Sequence, residues 1–157
     1  MREALRHYVG GEWVEPASGE TIEVVNPATE EVIADVQQGD AADVDAAVAA
    51  ARRCFDSEAW RGLTGRKRAR LLFKAADLLR ARRDEIAKLE TLHNGKTFFE
   101  SKIEISMTVE TLRYYAGWAD KINGETVPVD ASCLVYTLQE PVGVVGAIVP
   151  WNGPLVT

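Results

Sequence analysis

The stretch "EPVGVVGAIVPWNGPL", residues 140–155, decides how the rest of the chain is read. Val142, Val144, Val145, Ala147, Ile148 and Val149 form a nearly unbroken apolar run. That pattern predicts a strand buried on both faces of a parallel sheet, because a strand with one wet face alternates apolar and polar residues. A parallel neighbour returns only after a crossover of about a dozen residues or more, usually a helix. Only eight residues follow Val149, so a buried strand at this place has no neighbour after it. Next comes Pro150-Trp151-Asn152-Gly153-Pro154, where Pro and Gly force a turn at the strand's carboxyl end. In open α/β sheets that end is where ligands bind.

Outward from this segment, the period changes twice. Just before it, Thr126-Val127-Pro128-Val129 and Leu134 to Leu138 read as two strands around the turn-like Asp130-Ala131-Ser132, with Pro128 keeping the first at an edge. Together they predict a projecting antiparallel hairpin. The middle of the chain is helical. From about Asp43, residues Val44, Ala47, Val48, Ala51 and Phe55 follow a helical repeat, with Asp40 or Asp43 as N-cap. A second run begins after Thr64 and carries Leu71, Leu72, Ala75, Leu78, Leu79, Ile86 and Leu89 to Leu92, with a possible break near Arg82-Arg83. Asn94-Gly95 suits its C-terminal stop. A third spans roughly residues 100–123, placing Ile103, Val109, Leu112, Tyr115, Trp118 and Ile122 on one side. At the N-terminal end, Gly10-Gly11 between Tyr8-Val9 and Glu12-Trp13-Val14 is a hairpin signal. Thr21 to Val25 and Val32 to Val36 continue the alternation either side of Asn26-Pro27, and a small antiparallel sheet is expected.

Composition narrows the function classes. At 157 residues, 46% hydrophobic and 27% charged, the chain is long enough to bury a core and is of globular type. Its net charge of −6 would repel a polyanion, which argues against nucleic acid as a partner. The basic residues between Arg61 and Arg83 are interrupted by Asp77, and read as the solvated face of a helix. Cys54 and Cys133 have no Cys-x-x-Cys spacing, so neither a disulfide framework nor a zinc site is indicated. No stretch approaches the ~20 apolar residues of a membrane helix. No membrane association is expected, and a cytoplasmic location fits.

The stretch at 140–155 resembles the aldehyde dehydrogenase superfamily, whose members carry a Glu-Pro-x-Gly-Val strand followed by Pro-Trp-Asn and Pro-Leu. The resemblance runs along nearly the whole chain. Gly10-Gly11-Glu12-Trp13, Val25-Asn26-Pro27-Ala28-Thr29, Asp43 to Ala51, Asn94-Gly95-Lys96 and Tyr114-Tyr115-Ala116-Gly117 all fall in the family's order. Family members run to several hundred residues, so the resemblance implies an N-terminal portion only. It implies an α/β fold: the first part of a Rossmann-like cofactor-binding domain, with small antiparallel elements, a helical layer, an oligomerisation hairpin and an incomplete sheet. The implied division is 1–123 for the N-terminal part of that domain, 124–141 for the hairpin, and 142–157 for the first Rossmann-like strand with the Pro-Trp-Asn turn. The unneighboured strand then belongs to a sheet whose other strands lie in absent sequence.

By the same resemblance, Asn152 is the side-chain donor of the oxyanion hole. Thiolate attack on an aldehyde gives a tetrahedral thiohemiacetal whose oxygen carries new negative charge, and an amide N–H aimed at it lowers the barrier. Read without the family, an Asn beside Gly is a turn former. Ile148, Val149, Pro150 and Trp151 correspond to positions that line the cleft for NAD or NADP, where core packing is the plainer alternative. The nucleophilic Cys in its Gly-Gln-x-Cys setting and the general-base Glu are missing, as is the Gly-rich pyrophosphate turn. Cys54 and Cys133 match none of these contexts. His93 stands where many relatives have the Asp of Asp-Asn-Gly-Lys, and a neutral imidazole is a poor ligand for a hard cation, so no metal site is expected.

The implied activity is NAD(P)-dependent oxidation of a small-molecule aldehyde to a carboxylic acid, by a homo-oligomer assembled through 124–141. The chain by itself is expected to be inactive. The alternative is a non-catalytic truncated paralogue that acts as an interaction or oligomerisation module.

Overall fold

The computed structural model describes residues 5–16 and 18–157. Strands β1 (His7–Val9) and β2 (Glu12–Val14) pair antiparallel, with His7 opposite Val14 and Val9 opposite Glu12. Gly10 and Gly11 close the turn with φ of 64° and 95°. Two successive positive φ values match the right-handed twist of a two-residue hairpin and are accessible to glycine without steric cost. Strands β3 (Thr21–Val25) and β4 (Val32–Gln37) form a second antiparallel pair, with a register irregularity at Val24/Val25. Asn26 starts their connection: its Oδ1 accepts from the Ala28 amide at 2.9 Å, and its amide donates to the Glu31 carbonyl at 2.9 Å. The single sheet expected here is thus two separate pairs, joined by an isolated parallel bridge between Leu5 and Val36.

Five helices follow. Helix α1 (Ala41–Asp56) begins at Asp40, whose carboxylate accepts from the amides of Ala42 and Asp43 while Asp43 reaches back to the Asp40 amide. Both candidate aspartates therefore serve the same capping box. Helix α2 (Glu58–Arg61) is a single turn capped by Ser57. Helix α3 (Gly65–Ala81) starts at Thr64, and α4 (Arg83–Asn94) follows after a break at Arg82, the expected place. Gly95, at φ 84°, terminates α4. Helix α5 (Phe98–Trp118) opens with a capping box between Thr97 and Glu100. It ends earlier than its apolar pattern suggests: Lys121 folds back and donates to the Gly117 carbonyl at 2.6 Å, satisfying an acceptor that a longer helix would have used.

Helix α5 packs on α3 and α4, and the buried stripe sets two branched aliphatic side chains, Ile105 and Val109, among small and polar ones. Ala76 of α3, Ala87 of α4 and Ile105, Val109 and Ala116 of α5 form the buried apolar set, joined by Ser101 and Thr108. These α5 positions recur at spacings of three and four, the period of one helix face. Of the bulky α5 face expected from sequence, Val109 is buried and Leu112 half-buried, whereas Ile103, Tyr115, Trp118 and Ile122 are exposed, and so are Leu71, Leu78 and Leu89. Close helix contact favours small residues at the seam, and that selection overrides bulk hydrophobicity. Two ion pairs tie α3 to α5 at the rim, Arg80–Glu110 at 3.1 Å and Arg113–Asp77 at 2.7 Å.

Beyond α5, β5 (Thr126–Val127) and β6 (Val135–Tyr136) pair antiparallel over two residues each. The turn between them is an Asx turn, with Asp130 Oδ1 accepting from the Ser132 amide. The buried strand expected over Val142–Val149 is not formed. Val142 and Ile148 are fully exposed, and no ladder includes this run among the described residues. The physical reason is direct: a strand is defined by hydrogen bonds to a neighbour, and no neighbouring strand meets these backbone groups. All three ladders present are antiparallel. Among the described residues no helix is long and apolar enough to cross a membrane.

Candidate functional site

The residues singled out from sequence, Ile148 to Asn152, lie where the extended segment enters a run of turns that reaches Val156. The Gly153 amide donates to the Pro150 carbonyl at 3.4 Å and the Thr157 amide to the Gly153 carbonyl at 3.1 Å. Asn152 and Trp151 are exposed, Gly153 is buried, and Ile148 stands fully clear of the surface. Asn152 therefore lies on the exposed side of the turn that the Gly153 amide and the Pro150 carbonyl close around it.

One tertiary hydrogen bond docks this turn onto the helices. Asn94 Nδ2 donates to the Trp151 carbonyl at 3.0 Å. Asn94 is the last residue of α4, and the left-handed Gly95 that follows it is packed against Pro27: a Cβ on Gly95 would stand 2.8 Å from Pro27 Cγ. In the sequence Asn94-Gly95 reads as a helix stop and as part of the family's Asn-Gly-Lys. Its second task joins residues 57 positions apart, which no local pattern encodes.

Below that corner lies a charged cluster that sequence reasoning also missed. Lys96 Nζ donates to Glu90 Oε1 at 3.0 Å and also pairs closely with the Glu104 carboxylate. Glu90 is only 3% exposed, and its Oε2 is buried with no donor to meet it among the described residues. Burial pushes the Glu90 carboxyl above its ordinary range, helped by the neighbouring Glu104 and opposed by Lys96. Hydrogen bonding by Lys96 holds Glu104 below the ordinary range. For Lys96, burial pulls downward, but the bonds to Glu104 and Glu90 outweigh it and the net direction is up. A signal was available: Glu90 shares the inner face of α4 with Ala87, and an acid on such a face calls for a nearby cation.

Other candidates lie elsewhere. Cys54 is exposed near the end of α1 and Cys133 is exposed between β5 and β6. A depression of about 780 Å³ is lined by Cys54, Phe55, Trp60, Arg68 and residues 139–141 and 143–145, and does not include 148–152. His93 is exposed in the last turn of α4. Among the described residues no group of three or more His, Cys, Asp or Glu side chains is placed to hold a metal ion.

The candidate site combines an exposed Asn152, an exposed apolar approach over Ile148 to Trp151, and a helix corner tied to the turn through Asn94. The chain is 50% identical over 155 residues to an aldehyde dehydrogenase of Enchytraeus buchholzi, covering 98% of this chain and 31% of that protein. It is 45% identical over 151 residues to cytosolic aldehyde dehydrogenase 1 of Mus musculus, covering 95% of this chain and 30% of that protein. Its fold superposes with a TM-score of 0.95 on aldehyde dehydrogenase from Bacillus cereus in an NAD+ complex, at 49% identity, covering 98% of this chain and 32% of that one. The chain thus spans about 30% of the length of the curated relatives it matches. The model of the aldehyde dehydrogenase family matches residues 13–157, and the chain belongs to that family.

Proposed function

We propose that this chain is the N-terminal portion of an NAD(P)-dependent aldehyde dehydrogenase, oxidising an aldehyde to a carboxylic acid, and that Asn152 is an oxyanion donor of its active site. The observation that carries the reading is the family match through Pro150-Trp151-Asn152, together with the exposure of Asn152 on a turn held by Asn94. In this role Asn152 supplies an N–H to the oxygen of the aldehyde as a thiolate adds to its carbonyl carbon. The donor acts on charge that exists only after attack, so its effect falls on kcat more than on substrate binding.

The segment before it suits a dinucleotide's nicotinamide end. Ile148 and Trp151 present exposed apolar surface, and Val149 is 46% exposed, so a flat ring laid against them would bury area that the chain itself leaves wet. When bound, NAD(P)+ supplies the hydride acceptor; Ile148, Val149, Pro150 and Trp151 would line its cleft. The finer architecture belongs to the same proposal: residues 1–123 as part of a Rossmann-like cofactor-binding domain, 124–141 as a hairpin that pairs with another subunit, and 142–157 as the first strand and turn. A two-residue pairing is marginal alone in water, which favours a hairpin completed by a partner. A cytoplasmic location goes with this reading, supported by the relative whose name calls it cytosolic.

The test is made on the whole natural polypeptide that carries this chain. It should reduce NAD+ or NADP+ with an aldehyde, and Asn152→Ala should lower kcat by ~10²–10³ with KM little changed. The 157-residue chain alone should reduce neither cofactor. An inactive whole polypeptide, or an Asn152→Ala variant with undiminished kcat, refutes the assignment. Stable binding of the 157-residue chain to a full-length dehydrogenase, with an inactive parent polypeptide, would favour the interaction-module alternative.

A further inference from the structure

We propose that Asn94 is a positioning residue for Asn152, acting through the main-chain carbonyl of Trp151. The inference rests on the oxyanion role argued above.

The Trp151 carbonyl and the Asn152 amide belong to one peptide plane, so whatever holds that oxygen orients the bond leading to the Asn152 Cα. From 142 to 157 the chain has no ladder pairing, and among the described residues the Asn94 carboxamide makes the hydrogen bond that joins this segment to the helices. The other hydrogen bonds there, Gly153 to Pro150 and Thr157 to Gly153, are internal to the turns and do not fix them in space. An oxyanion donor works only when it is aimed before the charge develops. The aim of the turn therefore depends on the one hydrogen bond that, among the described residues, ties it to the helices.

The tether itself stands on a rigid base. Gly95 donates to the Thr91 carbonyl at 3.0 Å and packs against Pro27, which fixes the end of α4 against the β3–β4 connection. Two residues on, Lys96 bridges α4 to α5 through Glu90 and Glu104, and Thr91 and Ser101 hydroxyls meet at 3.0 Å on the same seam. Asn94 is therefore carried by a corner crosslinked on both sides. Its amide is also the right group, because Trp151 O is an acceptor and only a donor can engage it.

The experiment is a double-mutant cycle in the whole natural polypeptide, with Asn94→Leu and Asn94→Asp, each alone and combined with Asn152→Ala. Both Asn94 variants remove the donor, one by shape and one nearly isosterically, so a common effect belongs to the lost hydrogen bond. Each single Asn94 variant should lower kcat roughly 10- to 100-fold with KM within about twofold, the scale of a catalytic group displaced by a fraction of an ångström to an ångström. In the Asn152→Ala background the same changes should cost less than about twofold, because there is no longer a donor to misplace. A general folding role would lower kcat equally in both backgrounds, and that result overturns the proposal, as does an Asn94→Asp enzyme with wild-type kcat. Amide exchange at Gly153 and Thr157 supplies a readout independent of turnover: it should accelerate at least tenfold in Asn94→Leu. Should the wild-type polypeptide oxidise no aldehyde, the functional reading falls, and exchange alone decides the tether, unchanged protection overturning it.

Discussion

Replacing Lys96 by Met tests the charged corner beneath the turn. Methionine keeps the apolar stem and removes the ammonium, leaving Glu90, 3% exposed, beside the Glu104 carboxylate with no cation between them. Removing one partner of a buried ion pair costs about 3–5 kcal/mol. Lys96 is 16% and Glu104 27% exposed at the side chain, so water screens part of the interaction. The figure is accordingly about 2–3 kcal/mol at pH 8. For a chain of this size that is a fall in Tm of roughly 4–12 °C.

The pH dependence follows from the direction of the Glu90 shift. A carboxyl whose folded pKa lies above its unfolded value holds a proton that the unfolded chain has released, so its favourable contribution is complete below the unfolded value. That contribution is lost as pH rises through the folded value. Without Lys96 the folded value climbs further, and Glu90 stays protonated, donating toward Glu104. The lost Lys96–Glu104 bond sets a gap between parent and Lys96→Met above the ordinary carboxyl range, and the Glu90 shift should widen that gap as pH rises further. Urea unfolding at several pH values measures it, and a second change, Glu90→Gln, should restore much of the loss at the alkaline end. A gap under about 0.5 kcal/mol at pH 8, the range of ordinary surface substitutions, or one that stays constant with pH, refutes the account.

Two further predictions concern the same corner. Gly95→Ala should destabilise by roughly 2–3 kcal/mol in thermal unfolding, since it combines left-handed backbone strain with a methyl group 2.8 Å from Pro27 Cγ; a loss below that of an ordinary glycine C-cap would show that Pro27 gives way freely. Thr97→Ala removes the hydroxyl that accepts from the Glu100 amide, and should cost about 1 kcal/mol, read as faster amide exchange through the first turn of α5.

What was legible in the sequence is what local chemistry determines. Asp40 and Asp43 advertised the start of α1, the Arg82-Arg83 break separated α3 from α4, and Gly95 marked a stop that only a left-handed residue makes. Ser57 carries the same kind of signal for α2, but four residues leave no periodicity to see. The core was harder. Counting bulky apolar residues picks out Val109, which is buried, but also Ile103, Tyr115 and Leu89, which are not; the seam between α5 and its neighbours takes Ser101, Ile105, Thr108 and Ala116 as well, chosen by how closely the helices approach. Glu90 faces inward although Leu89 beside it faces out, an inversion intelligible only once Lys96 is seen returning across the corner. At the site, Pro150 to Asn152 was conspicuous as a turn motif, but its tether was not, because Asn94 already had a sufficient local explanation.

The exposed run from Val142 to Val149 has a consequence for how the chain behaves in a test tube. It is uncharged, rich in β-branched residues, and among the described residues has no ladder pairing its backbone, which is the profile of a segment that seeds cross-β association. Yet it is bracketed by Pro141 and Pro150, neither of which has an N–H to extend a ladder. Those two prolines act as gatekeepers: a foreign strand could zip along eight residues and no further, so self-association of the isolated chain should be concentration-dependent and reversible before it is fibrillar.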